Sequence, residues 1–101
     1  MTTSTTDHRQ AAEAHVHDLI AIFEAEPPSA ERDRLIEECT ALARAIGAFH
    51  MEGIRFRMFN ADRILSKGLL PVPEEAQRLF SAARQRLEAA GFQTRSHQAP
   101  T

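Results

Sequence analysis

The sequence predicts an all-α fold, and three observations lead to this class. Apolar residues recur every three or four positions along most of the chain, and no segment alternates as a strand would. A helical pattern runs without a breaker through residues 29–66, between Pro27-Pro28 and Gly68. The chain has 101 residues, enough for one domain whose hydrophobic core is only marginally sufficient by itself.

Three helices are predicted, at about 7–25, 29–66 and 73–90. The first stops at Pro27-Pro28, because proline cannot continue a helix. Its apolar stripe consists of Ala12, Val16, Leu19, Ile22 and Phe23.

Capping residues mark the ends of the second and third helices. Ser29 suits the N-cap of the second helix, and Pro73 suits the first position of the third. Gly68 and Gly91 suit the left-handed position that follows a helix C-terminus.

Polar segments at 1–6 and 93–101 flank a single predicted domain at 7–92, and we expect both segments to be disordered. The N-terminus lacks the basic and apolar regions of a signal peptide, and no apolar run is long enough to span a membrane. The single cysteine, Cys39, excludes an internal disulfide. A cytoplasmic protein is expected.

The length of the second helix predicts a homodimer. A continuous helix over 29–66 would be about 55 Å long, and each half would pair with only one other helix of the chain. Two helices seldom bury enough surface to be stable, so a second copy should supply the missing ones. The second half carries two opposed apolar stripes: Met51, Ile54, Met58, Ala61 and Leu65 for the third helix, and Phe49, Phe56 and Phe59 for the subunit interface.

We therefore expect an antiparallel homodimer whose helices form layers like four-helix bundles, with the long helices crossing near Ala45, Gly47 and Ala48. This pairing would set the acidic residues 1–38, with net charge −6, against the basic residues 39–101, with net charge +4. The alternative is a monomeric helical bundle in which the second helix breaks near Gly47 or Gly53.

Polar residues interrupt the apolar stripe of the second helix and give a candidate ligand site. Extended along the helix, the stripe reaches His50, Arg57 and Asn60. Arg57 with His50 could hold an anion such as a carboxylate or phosphate. The structural alternative is a hydrogen-bond network that fixes the subunit register, or simple exposure between helices.

Histidine and cysteine give a weaker candidate site for zinc or another transition metal, formed by His15, Cys39 and His50. No pair of histidines occupies one helix face at ligand spacing, and the carboxylates of a di-iron bundle are missing. Catalysis is not expected, because a thiol on an apolar stripe is unreactive.

These observations predict a non-enzymatic homodimer that acts by protein–protein interaction in a regulatory or adaptor role. The alternative is a sensor that binds a small anion or a transition metal at the subunit junction. No membrane partner is expected, and the aromatic residues at 56 and 59 fit a core or an interface better than a nucleic-acid platform.

Overall fold

Four α-helices form the part of the chain that the computed structural model describes, residues 4–92 and 94. They are α1 (Thr5–Glu24), α2 (Ala30–Gly47), α3 (Met51–Ser66) and α4 (Glu74–Ala89). These residues contain no strand, so the all-α class is confirmed. The count of three helices is wrong, because two helices, α2 and α3, replace the predicted second one.

The break between α2 and α3 is a Schellman motif with phenylalanine in its left-handed position. Phe49 has a φ of 58°. Its N–H donates to the carbonyl of Ile46 at 3.2 Å, and the next N–H, that of His50, donates to the carbonyl of Ala45 at 2.9 Å. These two bonds satisfy carbonyl groups that the end of α2 would otherwise leave without partners.

His50 ends the turn by capping α3. Its Nδ1 accepts from the N–H of Gly53 at 2.8 Å, and its carbonyl accepts from the N–H of Ile54 at 2.9 Å. The prediction of one continuous helix over 29–66 is therefore wrong, whereas the break near Gly47 in the alternative architecture agrees with the structure. The sequence does not predict this break because the residue in the left-handed conformation is phenylalanine and not glycine.

The helices pack in the order α4, α1, α2, α3, each against the next. The predicted pairing of the last helix with the second half of the long one is wrong, since α4 packs against α1. In the described residues α3 and α4 make no close backbone contact, and Asp62 approaches Arg84 at 3.8 Å across the space between them. The longest dimension is 41 Å, shorter than the predicted helix alone.

Ala45, Gly47 and Ala48, where two long helices were expected to cross, are the last turn of α2 and its C-cap. The chain reverses direction at this point, so a crossing of two continuous helices does not form here. One chain thereby supplies four helices to a shared core.

The core consists of apolar residues from all four helices and from the segments that follow α3 and α4: Ala12, Val16, Leu19, Phe23, Leu35, Cys39, Leu42, Ala43, Ile46, Ile54, Met58, Ala61, Ile64, Leu70, Ala76, Phe80, Ala83, Leu87 and Phe92. At the end of α4, Gly91 has a φ of 96°, and the N–H of Phe92 donates to the carbonyl of Leu87 at 2.9 Å, as the glycine position predicts. Gly68 is also left-handed, but Leu69 beyond it is 59 % exposed and Leu70 is buried instead.

The N-terminal segment expected to be disordered contains the start of α1. Thr5 and Thr6 are helical, and Ser4 Oγ accepts from the N–H of Asp7 at 3.1 Å. Residues 1–3 lie outside the described part of the chain.

From the predicted disordered tail, only Thr94 is described. Thr94 is buried, and its hydroxyl donates to Glu88 Oε2 at 2.8 Å. Residues 93 and 95–101 lie outside the described part of the chain. Among the helices of the described residues, none combines the length and the apolar character that crossing a membrane requires.

Candidate functional site

A polar network joins α2 to α3 around the carboxylate of Glu38. Arg57 Nη1 donates to both carboxylate oxygens, at 3.1 and 3.0 Å, and Asn60 Nδ2 donates to Oε1 at 2.9 Å. The side chain of Glu38 is 18 % exposed and that of Arg57 is 36 % exposed, so solvent screens this ion pair only in part.

The register of the α2–α3 hairpin brings these residues together. Glu38 and Asn60 are each eleven residues from Phe49, on opposite sides of the turn. Ala45 and Gly53 are each four residues from Phe49, and a Cβ placed at Gly53 would lie 3.2 Å from the Cβ of Ala45. Antiparallel helices therefore face each other at positions equally distant from the turn, and Gly53 permits their close approach.

The predicted anion-binding residues are only partly assembled. Arg57 and Asn60 lie together, but both donate to Glu38, a partner to which the sequence assigned no role. His50 lies outside this network, in the cap of α3. The network satisfies the carboxylate and ties α2 to α3, so an anion that used Arg57 would have to compete with Glu38.

The predicted metal ligands His15, Cys39 and His50 do not form a metal site in the described residues, where no three His, Cys, Asp or Glu side chains are grouped closely enough to hold an ion. Cys39 is buried in the core. Burial raises the pKa of its thiol to about 12, and the negative charge of Glu38 contributes to the increase. The thiol is therefore protonated at neutral pH, whereas metal ligation requires the thiolate.

The three predicted interface phenylalanines do not share one stripe. Phe49 lies in the turn before α3, half exposed, with its ring centroid 6.2 Å from that of Phe92 and 4.4 Å from the guanidinium carbon of Arg9. This arrangement covers the end of the bundle where α2 and α4 terminate. Phe49 is therefore separated from the other two residues, which belong to α3.

The outer face of α3 carries a row of four side chains, Glu52, Phe56, Phe59 and Arg63, which we name the α3 stripe. Their spacing of four, three and four residues places them on one side of the helix. Phe56 is 55 % exposed, and Phe59 is partly buried. The guanidinium of Arg63 lies 5.7 Å from the Phe59 ring, and that of Arg57 lies 5.1 Å from the Phe56 ring. A large exposed aromatic side chain flanked by arginine is typical of a protein–protein contact.

Comparisons with protein-family models, with curated proteins and with solved structures find no significant match to this chain. Function therefore has to be argued from the residues of this chain alone.

Proposed function

We propose that this protein is a non-enzymatic interaction module that works as a homodimer in a regulatory or adaptor role. The observation that carries the proposal is the α3 stripe, which exposes aromatic surface between an acidic residue at one end and a basic residue at the other. An aromatic side chain left half exposed contributes less to the monomer than a buried one, and burial in a contact recovers that contribution.

The order of the stripe is complementary to itself. When two copies of α3 run antiparallel about a twofold axis, Phe56 of one copy faces Phe59 of the other. Glu52 of one copy then faces Arg63 of the other, and the same pairs form twice. Aromatic pairs of this kind contribute about 0.5–1.5 kcal/mol beyond the burial of their area.

Glu52 retains accessible surface for such a contact. It accepts two hydrogen bonds from Arg55 Nη2, at 2.5 and 2.6 Å, yet its side chain remains 75 % exposed. Arg63 makes no ion pair within the described residues and lies over the Phe59 ring. Pairing between copies would therefore add a partner to each charge without breaking the contacts inside one chain.

Sedimentation velocity over a micromolar concentration range tests the proposal. We expect the wild type to dimerise and Phe56→Asp to be monomeric, with unchanged helical circular dichroism because residue 56 is exposed. Leu69→Asp is the matched control, since Leu69 is a similarly exposed apolar residue in the loop beyond α3. A monomeric wild type, or equal loss of dimer in both variants, would refute this dimer.

Charge reversal tests whether Glu52 and Arg63 face each other across the dimer interface. Arg63→Glu should weaken the dimer by placing like charges opposite each other, and the double variant Glu52→Arg, Arg63→Glu should restore it. If the double variant is no better than the single one, the two residues do not face each other across a twofold interface.

A further inference from the structure

A cleft between α2 and α3, close to the Glu38–Arg57 pair, is lined by three basic side chains. Its volume is about 120 Å³, and its lining residues are Arg34, Glu38, Asn60, Arg63, Ile64 and Lys67. Arg34 belongs to α2, whereas Lys67 is the C-cap of α3. The antiparallel hairpin therefore brings cations from both helices to one opening.

The positive charge of this cleft is not neutralised within the described part of the chain. Arg34 and Lys67 form no ion pair and no side-chain hydrogen bond there, and Arg63 lies over the ring of Phe59. The only carboxylate among the lining residues is that of Glu38, and Arg57 and Asn60 already donate to it.

The residues that line the cleft therefore carry a net positive charge. Among the lining residues, Arg34, Arg63 and Lys67 contribute +3 and Glu38 contributes −1, which leaves +2. A multiply charged anion entering the cleft would meet the side-chain donors of Arg34 and Lys67, which have no other partner in the described residues, so its binding does not require the Glu38 network to open.

We propose that this cleft binds a small phosphate-type oxyanion, either as a free ion or as the terminal group of a phosphate ester. A tetrahedral oxyanion accepts hydrogen bonds from several directions, which matches donors that arrive from two helices. One water molecule occupies about 30 Å³ in the liquid, so the cleft of about 120 Å³ has room for a small oxyanion. This site is separate from the proposed dimer, apart from Arg63, which borders both.

Titration of ¹⁵N-labelled protein with inorganic phosphate and with pyrophosphate, at constant ionic strength, tests the proposal. We expect saturable amide shifts in the early part of α2 and the end of α3, with pyrophosphate binding more tightly because of its greater charge. Chloride at the same ionic strength should not produce them. A phosphate monoester distinguishes the two sources: binding equal to that of phosphate indicates the terminal group of an ester, and weaker binding indicates the free ion.

Two variants that leave the α3 stripe intact show whether the cations act together. Arg34→Gln and Lys67→Gln should each weaken pyrophosphate binding by about ten-fold, as expected for loss of a charged hydrogen bond. Arg44→Gln is the matched control, because Arg44 is an exposed arginine of α2 that does not line the cleft. Non-saturable shifts, or equal effects of all three substitutions, would show that only general electrostatic attraction is present and would overturn the proposal. Because Arg63 also belongs to the α3 stripe, the titrations are repeated on Phe56→Asp, and saturable pyrophosphate binding should persist in that variant.

Discussion

Replacing Arg57 with Met removes the guanidinium that donates to Glu38 while retaining a long apolar side chain at the position. Glu38 then keeps the hydrogen bond from Asn60 Nδ2 and loses the ionic partner that lies 3.0 Å from Oε2. Because the carboxylate is largely removed from solvent, water cannot fully replace that partner. We therefore expect the variant to be less stable than the wild type.

The magnitude follows from the exposure of the pair. Hydrogen bonds to charged groups contribute about 1.5–3 kcal/mol when buried, and exposed ion pairs about 0.2–1 kcal/mol. Arg57 is just over one third exposed and Glu38 is less so, which places the pair between these limits. After discounting for solvent screening, we expect Arg57→Met to lower the free energy of unfolding by about 1–2 kcal/mol, or the Tm by roughly 5–10 °C.

Urea and thermal unfolding followed by circular dichroism measure this change. Arg44→Met is the matched control, because it makes the same substitution at an exposed arginine of α2 outside the network. A double-mutant cycle with Glu38→Gln isolates the coupling between the two residues, which should be about 1 kcal/mol. If Arg57→Met is as stable as the wild type and the coupling energy is near zero, the reasoning is refuted. Arg57 would then contribute nothing to the fold and would be available to bind a ligand.

Further predictions concern the hairpin and the buried thiol. A Cβ at Gly53 would lie 2.7 Å from His50 Nδ1 and 3.2 Å from the Cβ of Ala45, whereas one at Gly47 meets nothing nearer than 3.4 Å. The free energy of unfolding of Gly53→Ala should therefore be about 1–2 kcal/mol lower than that of Gly47→Ala. Equal stability of the two variants in urea titrations would contradict the close approach of α2 and α3 at Gly53. Because the pKa of the Cys39 thiol is raised to about 12 from 9.0, the thiolate population at neutral pH is about a thousand-fold lower than in the unfolded chain, and alkylation by iodoacetamide should be correspondingly slow until denaturant is added. Stability should be unaffected by this group below pH 9 and should fall as the pH rises from 9 towards 12, since the thiol ionises first in the unfolded chain; equal urea midpoints at pH 8 and pH 10.5 would be the contrary result.

The sequence predicts a helix end correctly where one residue type determines the backbone conformation. Ser29 caps α2 through its hydroxyl, and Gly91 takes the left-handed position after α4, as their chemistry predicts. The break after Gly47 could not be read in the same way, because phenylalanine occupies the left-handed position and no proline follows it.

The network around Glu38 could not be predicted without the break between α2 and α3. In a continuous helix, Glu38 and Arg57 would be about 28 Å apart along the axis, so nothing in a straight helix suggests that they meet. Once the turn is placed at Phe49, the hairpin register brings Glu38 opposite Asn60. Arg57 and Asn60, which interrupt the predicted apolar stripe of the second helix, are then explained as the hydrogen-bond donors to Glu38. The missing information was one backbone conformation, and the error in topology and the error in the site have the same origin.

The left-handed Phe49 also determines how firmly the hairpin is closed. This conformation costs an L-residue roughly 1–2 kcal/mol, and a helical one at the same position would avoid that cost. If residues 48–50 became helical, α2 and α3 would form one continuous helix. Glu38 could then form its ion pair only with Arg57 of a second chain. Such an exchange would preserve the contacts between α2 and α3 while changing which molecule supplies them. The backbone conformation of Phe49 thus decides between a monomeric bundle and a dimer that exchanges helices between its chains.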